Sequence, residues 1–148
     1  MIVQKEVVGM ENKFKYFYYG GAKEGFNEKN IDIYKRIDSN KNGYVGFYMF
    51  DDEYREYAFM DAYYKNIKEE SNDNGVGIIV MDSNLKYYEV SPIMVKRITR
   101  DLIDKLRAVG YDLIVGMYLG KREYILINTD KVKGFGFIGE YNGKKRVK

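Results

Sequence analysis

The segment that most constrains the fold reads VGFYMF (45–50) and runs directly into DDE. A half-buried strand alternates apolar and polar side chains, and this run does not, so both of its faces must be covered. Phe47 and Met49 then point to one face and Tyr48 to the other. The Phe47 face predicts a packed core. The Tyr48 face suits either more core or a flat ligand that stacks on the ring.

The length of 148 residues predicts a single domain over 1–148, with a basic tail at 144–148 that we interpret as a solubilising end. No stretch approaches the roughly 18 consecutive apolar residues of a membrane span. The first 15 residues carry acids and lysines where a signal peptide has its apolar core. We therefore expect no membrane partner and a cytoplasmic protein, in the producing cell or in a host cell.

The chain contains no cysteine and no histidine, which excludes disulfides, thiolate chemistry, histidine-dependent triads and histidine-ligated zinc. Any chemistry must come from carboxylates, Lys, Arg, Tyr, Ser or the backbone. DSNKNGYV (38–45) resembles the first half of a calcium loop, but the bidentate acid of its twelfth position is replaced by Met49. No metal site is predicted. The net charge of +3 is too small to indicate nucleic acid by itself.

Periodicity along the chain predicts an α+β domain of mostly antiparallel strands with a few helices. Residues 14–21 read as a strand closed by a turn at the double glycine, and the acids after residue 50 begin a helix over 51–70. A second helix over 93–110 has Pro92 at its first turn and Gly110 as its C-cap. The remaining predicted strands are a hairpin of 76–82 with 86–90, then 111–119, 123–128 and 134–141.

Three stretches carry a family resemblance. They are YYGG (18–21) after a strand, GFYMFDD (46–52) leading into a helix, and REYILINTDKVK (122–133) after GYDLIVG. In this order they resemble the ADP-ribosyltransferase superfamily, on its diphtheria-toxin and poly(ADP-ribose)-polymerase-like side. The resemblance covers roughly residues 14–133. It implies a split β-sandwich and a mono-ADP-ribosyltransferase that uses NAD as co-substrate.

The resemblance also implies a role for several residues. Gly20 would offer backbone hydrogen bonds to the nicotinamide carboxamide, because glycine permits close approach to the main chain. Tyr48 would stack on the nicotinamide ring, with Tyr57 or Phe59 as a second wall. Glu123 would be the catalytic carboxylate that stabilises positive charge on the ribose. Without the resemblance, Tyr48 also suits a core position, and Glu123 suits the solvent side of a hairpin.

The chain departs from the family pattern at two positions. Tyr19 stands where the first motif has histidine, and its hydroxyl can replace part of that hydrogen bonding in the NAD site. Lys121, two residues before Glu123, does not match the arginine-modifying toxins. We expect a macromolecular acceptor, with protein favoured over nucleic acid, chosen by the loop at 116–122. The alternatives are a catalytically inactive module of the same fold that binds a nucleotide or protein, and an aromatic-rich binder of single-stranded nucleic acid.

Overall fold

The computed structural model describes residues 13–23, 31–36 and 44–138, and it contains two sheets. The first has the order β1-β3-β7, and all its strands are antiparallel. The second has the order β2-β6-β5-β4, in which only β4 and β5 run parallel. The strands are β1 (Phe14–Ala22), β2 (Tyr48–Met49), β3 (Asn74–Asp82), β4 (Tyr87–Glu89), β5 (Leu113–Tyr118), β6 (Lys121–Leu126) and β7 (Val132–Ile138). The helices are α1 (Arg55–Glu69) and α2 (Arg100–Ala108). The predicted α+β class with mostly antiparallel strands is confirmed.

The main core brings together side chains of both sheets. Phe17 of β1 and Ile79 of β3 belong to the same buried cluster as Met49 and Ile125 of the second sheet. Phe47 and Met49 are at most 1% exposed, so their predicted core positions are confirmed. Burial of such large apolar side chains is the main favourable contribution to folding.

Helix α1 follows β2 after a short capped turn. The Asp51 carboxylate accepts a hydrogen bond from the Tyr54 N–H and begins a 3-10 turn over Asp52–Tyr54 that leads into the helix. Glu70 ends the helix in the left-handed conformation, with φ 50°. The predicted helix over 51–70 is therefore confirmed. Its buried face contains Ala58 and Ala62, whose small side chains let the helix lie close to β1.

The double glycine does not make the predicted turn. Gly20 and Gly21 lie within β1, opposite Val76 and Gly75 of β3, and the strand continues to Ala22. A Cβ atom on Gly20 would come within 2.1 Å of the Ala58 carbonyl oxygen, so the glycine is needed for the close approach of α1. The prediction was wrong because glycine can serve close packing as well as a turn.

The predicted hairpin of 76–82 with 86–90 is also wrong. β3 pairs with β1 and β7, whereas β4 crosses to the second sheet and lies parallel to β5. The Asp112 carboxylate holds this crossing, because it accepts hydrogen bonds from the Lys86 N–H at 2.8 Å and from the Asn128 side chain at 3.0 Å.

The second helix begins later than predicted. Thr99 caps α2 by accepting a hydrogen bond from the Leu102 N–H, so the helix starts at Arg100 and not near Pro92. Residues before it form only a 3-10 turn over Val95–Arg97, because Ile98 is extended and bridges to Val45 through its carbonyl oxygen. Gly110 follows the helix with φ 96°, and its predicted capping role is confirmed.

β5 and β6 form a hairpin with a two-residue turn. Leu119 and Gly120 both have positive φ, as such a tight turn requires. The predicted strands 111–119 and 123–128 are confirmed in place, but the predicted loop at 116–122 is mostly strand.

β7 confirms the last predicted strand as far as Ile138. Most of the segment that resembles half of a calcium loop, at 38–43, lies outside the described residues, as do residues 139–141 and the basic tail at 144–148. Neither described helix has the length and apolar character that crossing a membrane requires.

Candidate active site

The two sheets meet along β1 and β2 and then separate. Tyr18 and Phe50 form an antiparallel bridge, each donating its N–H to the other's carbonyl oxygen at 2.8 Å. Two residues further along this register, Gly20 and Tyr48 would face each other, but no pairing is present there among the described residues. The gap between them opens into a cavity.

This cavity has a volume of about 770 Å³ and collects four of the predicted site residues. Tyr19, Gly20, Tyr48 and Glu123 all line it, although they come from three separate parts of the sequence. The other lining residues are Ala22, Lys35, Arg36, Gly46, Phe50, Asp61, Lys65, Lys68, Glu69, Asn74, Val95 and Tyr118.

Tyr48 points into the cavity with a hydroxyl group that is buried and finds no hydrogen-bond partner in the described part of the chain. Desolvation, followed by the charge of Glu123, raises the pKa of this phenol above its usual range. Gly46, with φ 151°, makes room for the ring, because a Cβ atom there would lie 2.7 Å from Tyr48 Cε1. Tyr118 adds a second ring at 6.3 Å between centroids.

Glu123 lies on the same face of the second sheet as Tyr48. Tyr48 pairs with Ile125, and Glu123 is two positions from Ile125 on β6, so the alternation of strand side chains places both on one face. The opposite residue on β5 is Gly116, where a Cβ atom would lie 2.4 Å from the Val90 carbonyl oxygen. Glu123 is only 6% exposed.

Burial raises the pKa of Glu123 to about 7. The positive charge of Lys121 opposes this rise, and the negative charge of Asp61 adds to it. None of the described side chains donates a hydrogen bond to the Glu123 carboxylate, in contrast to the other buried acid, Asp112. The Glu123 carboxyl group therefore lies in the cavity wall without a hydrogen bond from any described side chain.

Tyr19 belongs to the cavity wall and the core at once. It is 5% exposed and its ring stacks on Phe47 at 4.6 Å between centroids. Burial raises its pKa to about 12, while a hydrogen bond from the Ala22 backbone acts in the opposite direction. Its hydroxyl lies over Gly21, where a Cβ atom would be 2.3 Å away. The phenol is thus fixed by its own strand.

Tyr57 and Phe59 are not among the residues that line the cavity. Tyr57 packs near Phe50 and lies under the ammonium group of Lys121, at 5.2 Å from ring to Nζ. Phe59 packs against the smaller cluster around Phe50 and Ala58.

Helix α1 contributes charged residues to the cavity that the sequence analysis did not select: Asp61, Lys65, Lys68 and Glu69. The signal that could have found them is their spacing, which places all four on one helical face. Lys65 donates a hydrogen bond to the Gly20 carbonyl oxygen at 2.8 Å. Desolvation raises the pKa of Asp61, and the charges of Lys65 and Lys121 oppose that rise.

A hydrogen-bonded cluster braces the opposite face of β6. Asp51 accepts hydrogen bonds from Arg122 Nε and from the Tyr124 hydroxyl, both at 2.8 Å. Arg122 also donates to Glu53 at 2.6 Å. These contacts hold the strand that carries Glu123 against the segment between β2 and α1.

The described part of the cavity wall carries both acidic and basic side chains. The described residues contain no group of three or more acids positioned to hold a metal ion.

Comparisons with protein-family models, with curated proteins and with solved structures gave no match to this chain.

Proposed function

We propose that this protein is a mono-ADP-ribosyltransferase with an ADP-ribosyltransferase-like split β-sandwich. It cleaves NAD and transfers ADP-ribose to a macromolecular acceptor inside a cell. One observation carries the proposal: Tyr19, Gly20, Tyr48 and Glu123, selected from three distant motifs, line the same cavity where the two sheets separate.

The proposed roles follow from the chemistry of the bond that breaks. The bond between ribose C1′ and the pyridine nitrogen breaks, and its electron pair passes to that nitrogen. The acceptor's nucleophile forms the new bond to C1′ and loses its proton to solvent. Glu123, as a carboxylate, stabilises the positive charge that develops on the ribose.

Two features of the cavity support binding of a flat ring. Tyr48 lines the open space, and its aromatic ring suits stacking on a flat ligand. The Gly20 backbone borders the same space. Tyr118, rather than Tyr57 or Phe59, is the second aromatic group in the cavity wall.

The second candidate is a non-catalytic module that binds a nucleotide or protein in this cavity. The position of Tyr19 favours it, because the phenol is stacked on Phe47 and held by Ala22, so it is not directed at a ligand as a histidine substitute. The burial of Glu123 in a cavity with an unpartnered phenol favours the enzyme.

The test is to incubate the protein with NAD labelled in its adenylate phosphate and a cell lysate, and to measure both label transfer and nicotinamide release. Glu123→Gln should abolish both. Glu89→Gln, an exposed acid on β4, is the matched control and should leave both unchanged.

Label transfer that persists in Glu123→Gln contradicts the assigned role of this carboxylate. If the wild-type protein neither cleaves NAD nor is stabilised by it, while it binds a nucleotide or protein, the second candidate replaces the first. Separate digestion of the labelled product with protease and nuclease identifies the acceptor class.

A further inference from the structure

Helix α1 places a second acid in the cavity that holds Glu123. Asp61 packs against Gly20, because a Cβ atom on that glycine would lie 3.0 Å from the Asp61 Cβ. Asp61 and Glu123 both line the cavity. They belong to different layers, since Asp61 lies on the helix that packs on β1 and β3, and Glu123 lies on β6 of the second sheet. A ligand in this cavity therefore meets two carboxyl groups.

The two carboxyl groups share one property and differ in another. Among the described residues, no side chain donates a hydrogen bond to either group, and neither forms a close ion pair. Glu123 is 6% exposed, a degree of burial at which polar groups usually have hydrogen-bond partners. Asp61 keeps contact with solvent. One acid is thus shielded from water, and the other can exchange a proton with it.

Electrostatic interactions show that the two acids are neighbours. The negative charge of Asp61 raises the pKa of Glu123, and the positive charge of Lys121 lowers the pKa of both carboxyl groups. Lys65, four residues after Asp61 on α1, also acts on the Asp61 carboxylate. Interactions between charges weaken with distance and are screened by solvent, so a charge that acts on both acids lies near both.

A pair of carboxylates suits the cleavage of a glycosidic bond. In glycoside hydrolysis one carboxylate can stabilise the positive charge on the sugar while another removes the proton of the attacking nucleophile. The first role is the one proposed above for Glu123. Asp61 suits the second, because its contact with solvent lets it pass the proton on to water. Desolvation raises the pKa of Asp61, which makes its carboxylate a stronger base.

We propose that Asp61 is the general base of the transfer reaction, an inference that rests on the proposed function. Its carboxylate accepts the proton of the acceptor's nucleophile as that atom bonds to ribose C1′, and then releases the proton to solvent. The pyridine nitrogen leaves with the electron pair of the broken bond. The acceptor class that follows is a neutral O–H or N–H group. An anionic acceptor, such as a carboxylate, has no proton to lose and needs no base.

Chemical rescue with azide tests this role. The full-length protein is incubated with labelled NAD and a cell lysate, and nicotinamide release is measured with and without sodium azide for wild type, Asp61→Asn and Asp130→Asn. Asp61→Asn should slow release about a hundredfold, the size expected for loss of a general base. Azide should restore release, because this anion attacks C1′ without losing a proton. Mass spectrometry should then detect ADP-ribosyl azide.

Asp130→Asn is the matched control, because Asp130 is an exposed acid outside the cavity lining, and it should behave as wild type. Asp61→Ala, which leaves room for azide, is the second variant if Asp61→Asn does not fold. Release by the Asp61 variant at the wild-type rate overturns the inference. A slow variant that azide does not restore also overturns it, since a purely structural role of Asp61 predicts that result.

Glu123→Gln separates this inference from the proposed function. Azide supplies a nucleophile but not the charge that stabilises the ribose, so it should leave Glu123→Gln inactive. Equal rescue of the Asp61 and Glu123 variants would contradict their separate roles. If wild type does not cleave NAD with or without azide, the transferase proposal fails and the inference fails with it. Cleavage that depends on Glu123 and not on Asp61 overturns the inference alone.

Discussion

The two acids that lie on opposite faces of β6, Asp51 and Glu123, differ in their hydrogen bonding. On one face, Asp51 reaches across to the strand and is satisfied by Arg122, Tyr124 and the Tyr54 N–H. On the other face, Glu123 is buried in the cavity wall, and no described side chain donates a hydrogen bond to it. A satisfied carboxylate stabilises the folded chain, whereas a buried one without donors lowers its stability. The contrast supports the proposal that Glu123 is available to a ligand, whereas Asp51 stabilises the fold.

The largest expected effect is the loss of activity in Glu123→Gln, without a loss of stability. Glu123→Gln should reduce NAD cleavage by at least about a hundredfold, because it removes the charge proposed to stabilise the transition state. Its folding should be intact, since the fold makes no hydrogen bond to this carboxylate among the described side chains. Steady-state nicotinamide release and thermal unfolding, measured on the same preparation, check both halves. If this variant did not fold, Glu123 would be needed for the fold, which contradicts the difference drawn between Glu123 and Asp51.

The pH dependence of stability should follow Glu123. Its pKa in the folded protein is about 7, against 4.5 for the ordinary group, so the folded state holds the proton more tightly. The free energy of unfolding should therefore fall as pH rises from about 4.5, and the loss should level off above pH 7 at about 3 kcal/mol. Urea unfolding at pH 5 and pH 8 measures it. The difference between wild type and Glu123→Gln should be largest at pH 8 and much smaller at pH 5.

Asp51→Asn, unlike Glu123→Gln, should lower the stability of the fold. It leaves Arg122 and Tyr124 with a weaker, uncharged acceptor and should lower the free energy of unfolding by about 2 kcal/mol. Asp101→Asn is the control, because the ion pair of Asp101 with Lys105 is exposed and should contribute little to stability. Chemical denaturation near neutral pH distinguishes the two. An Asp51→Asn protein as stable as wild type would remove the structural role assigned to this face.

The smallest effect compares one hydroxyl on each face. Tyr48→Phe removes a buried hydroxyl that has no hydrogen-bond partner among the described residues, and it should raise the free energy of unfolding by about 1 kcal/mol. Tyr124→Phe removes the bond to Asp51 and should lower it by a similar amount. If both substitutions changed the free energy of unfolding in the same direction, the difference drawn between the two faces of β6 would be wrong.

Local sequence signals predicted the elements that depend on local chemistry. The acids that begin α1, and the apolar runs of β1, β5 and β6, were recognised because their patterns need no distant partner. Tyr48 and Glu123 were selected through a family resemblance, and strand alternation alone then places them on one face.

The remaining features depend on long-range packing. The local sequence of β4 does not indicate that this strand pairs with β5 instead of β3. The role of Gly20 became visible only from its 2.1 Å approach to Ala58, and Lys65 enters the site through that same contact. A helix can be predicted from sequence, but its rotation and height against a strand cannot. The charged wall of the cavity was missed for this reason.

Among the described residues, one backbone bridge joins the two sheets, which also share a side-chain core. Tyr18 and Phe50 exchange two hydrogen bonds of 2.8 Å, and beside this bridge Gly20 and Tyr48 are not paired with each other. The exchange of the Tyr18 and Phe50 amide protons with solvent therefore reports on the contact between the two sheets. We expect this exchange to slow when a ligand binds in the adjacent cavity.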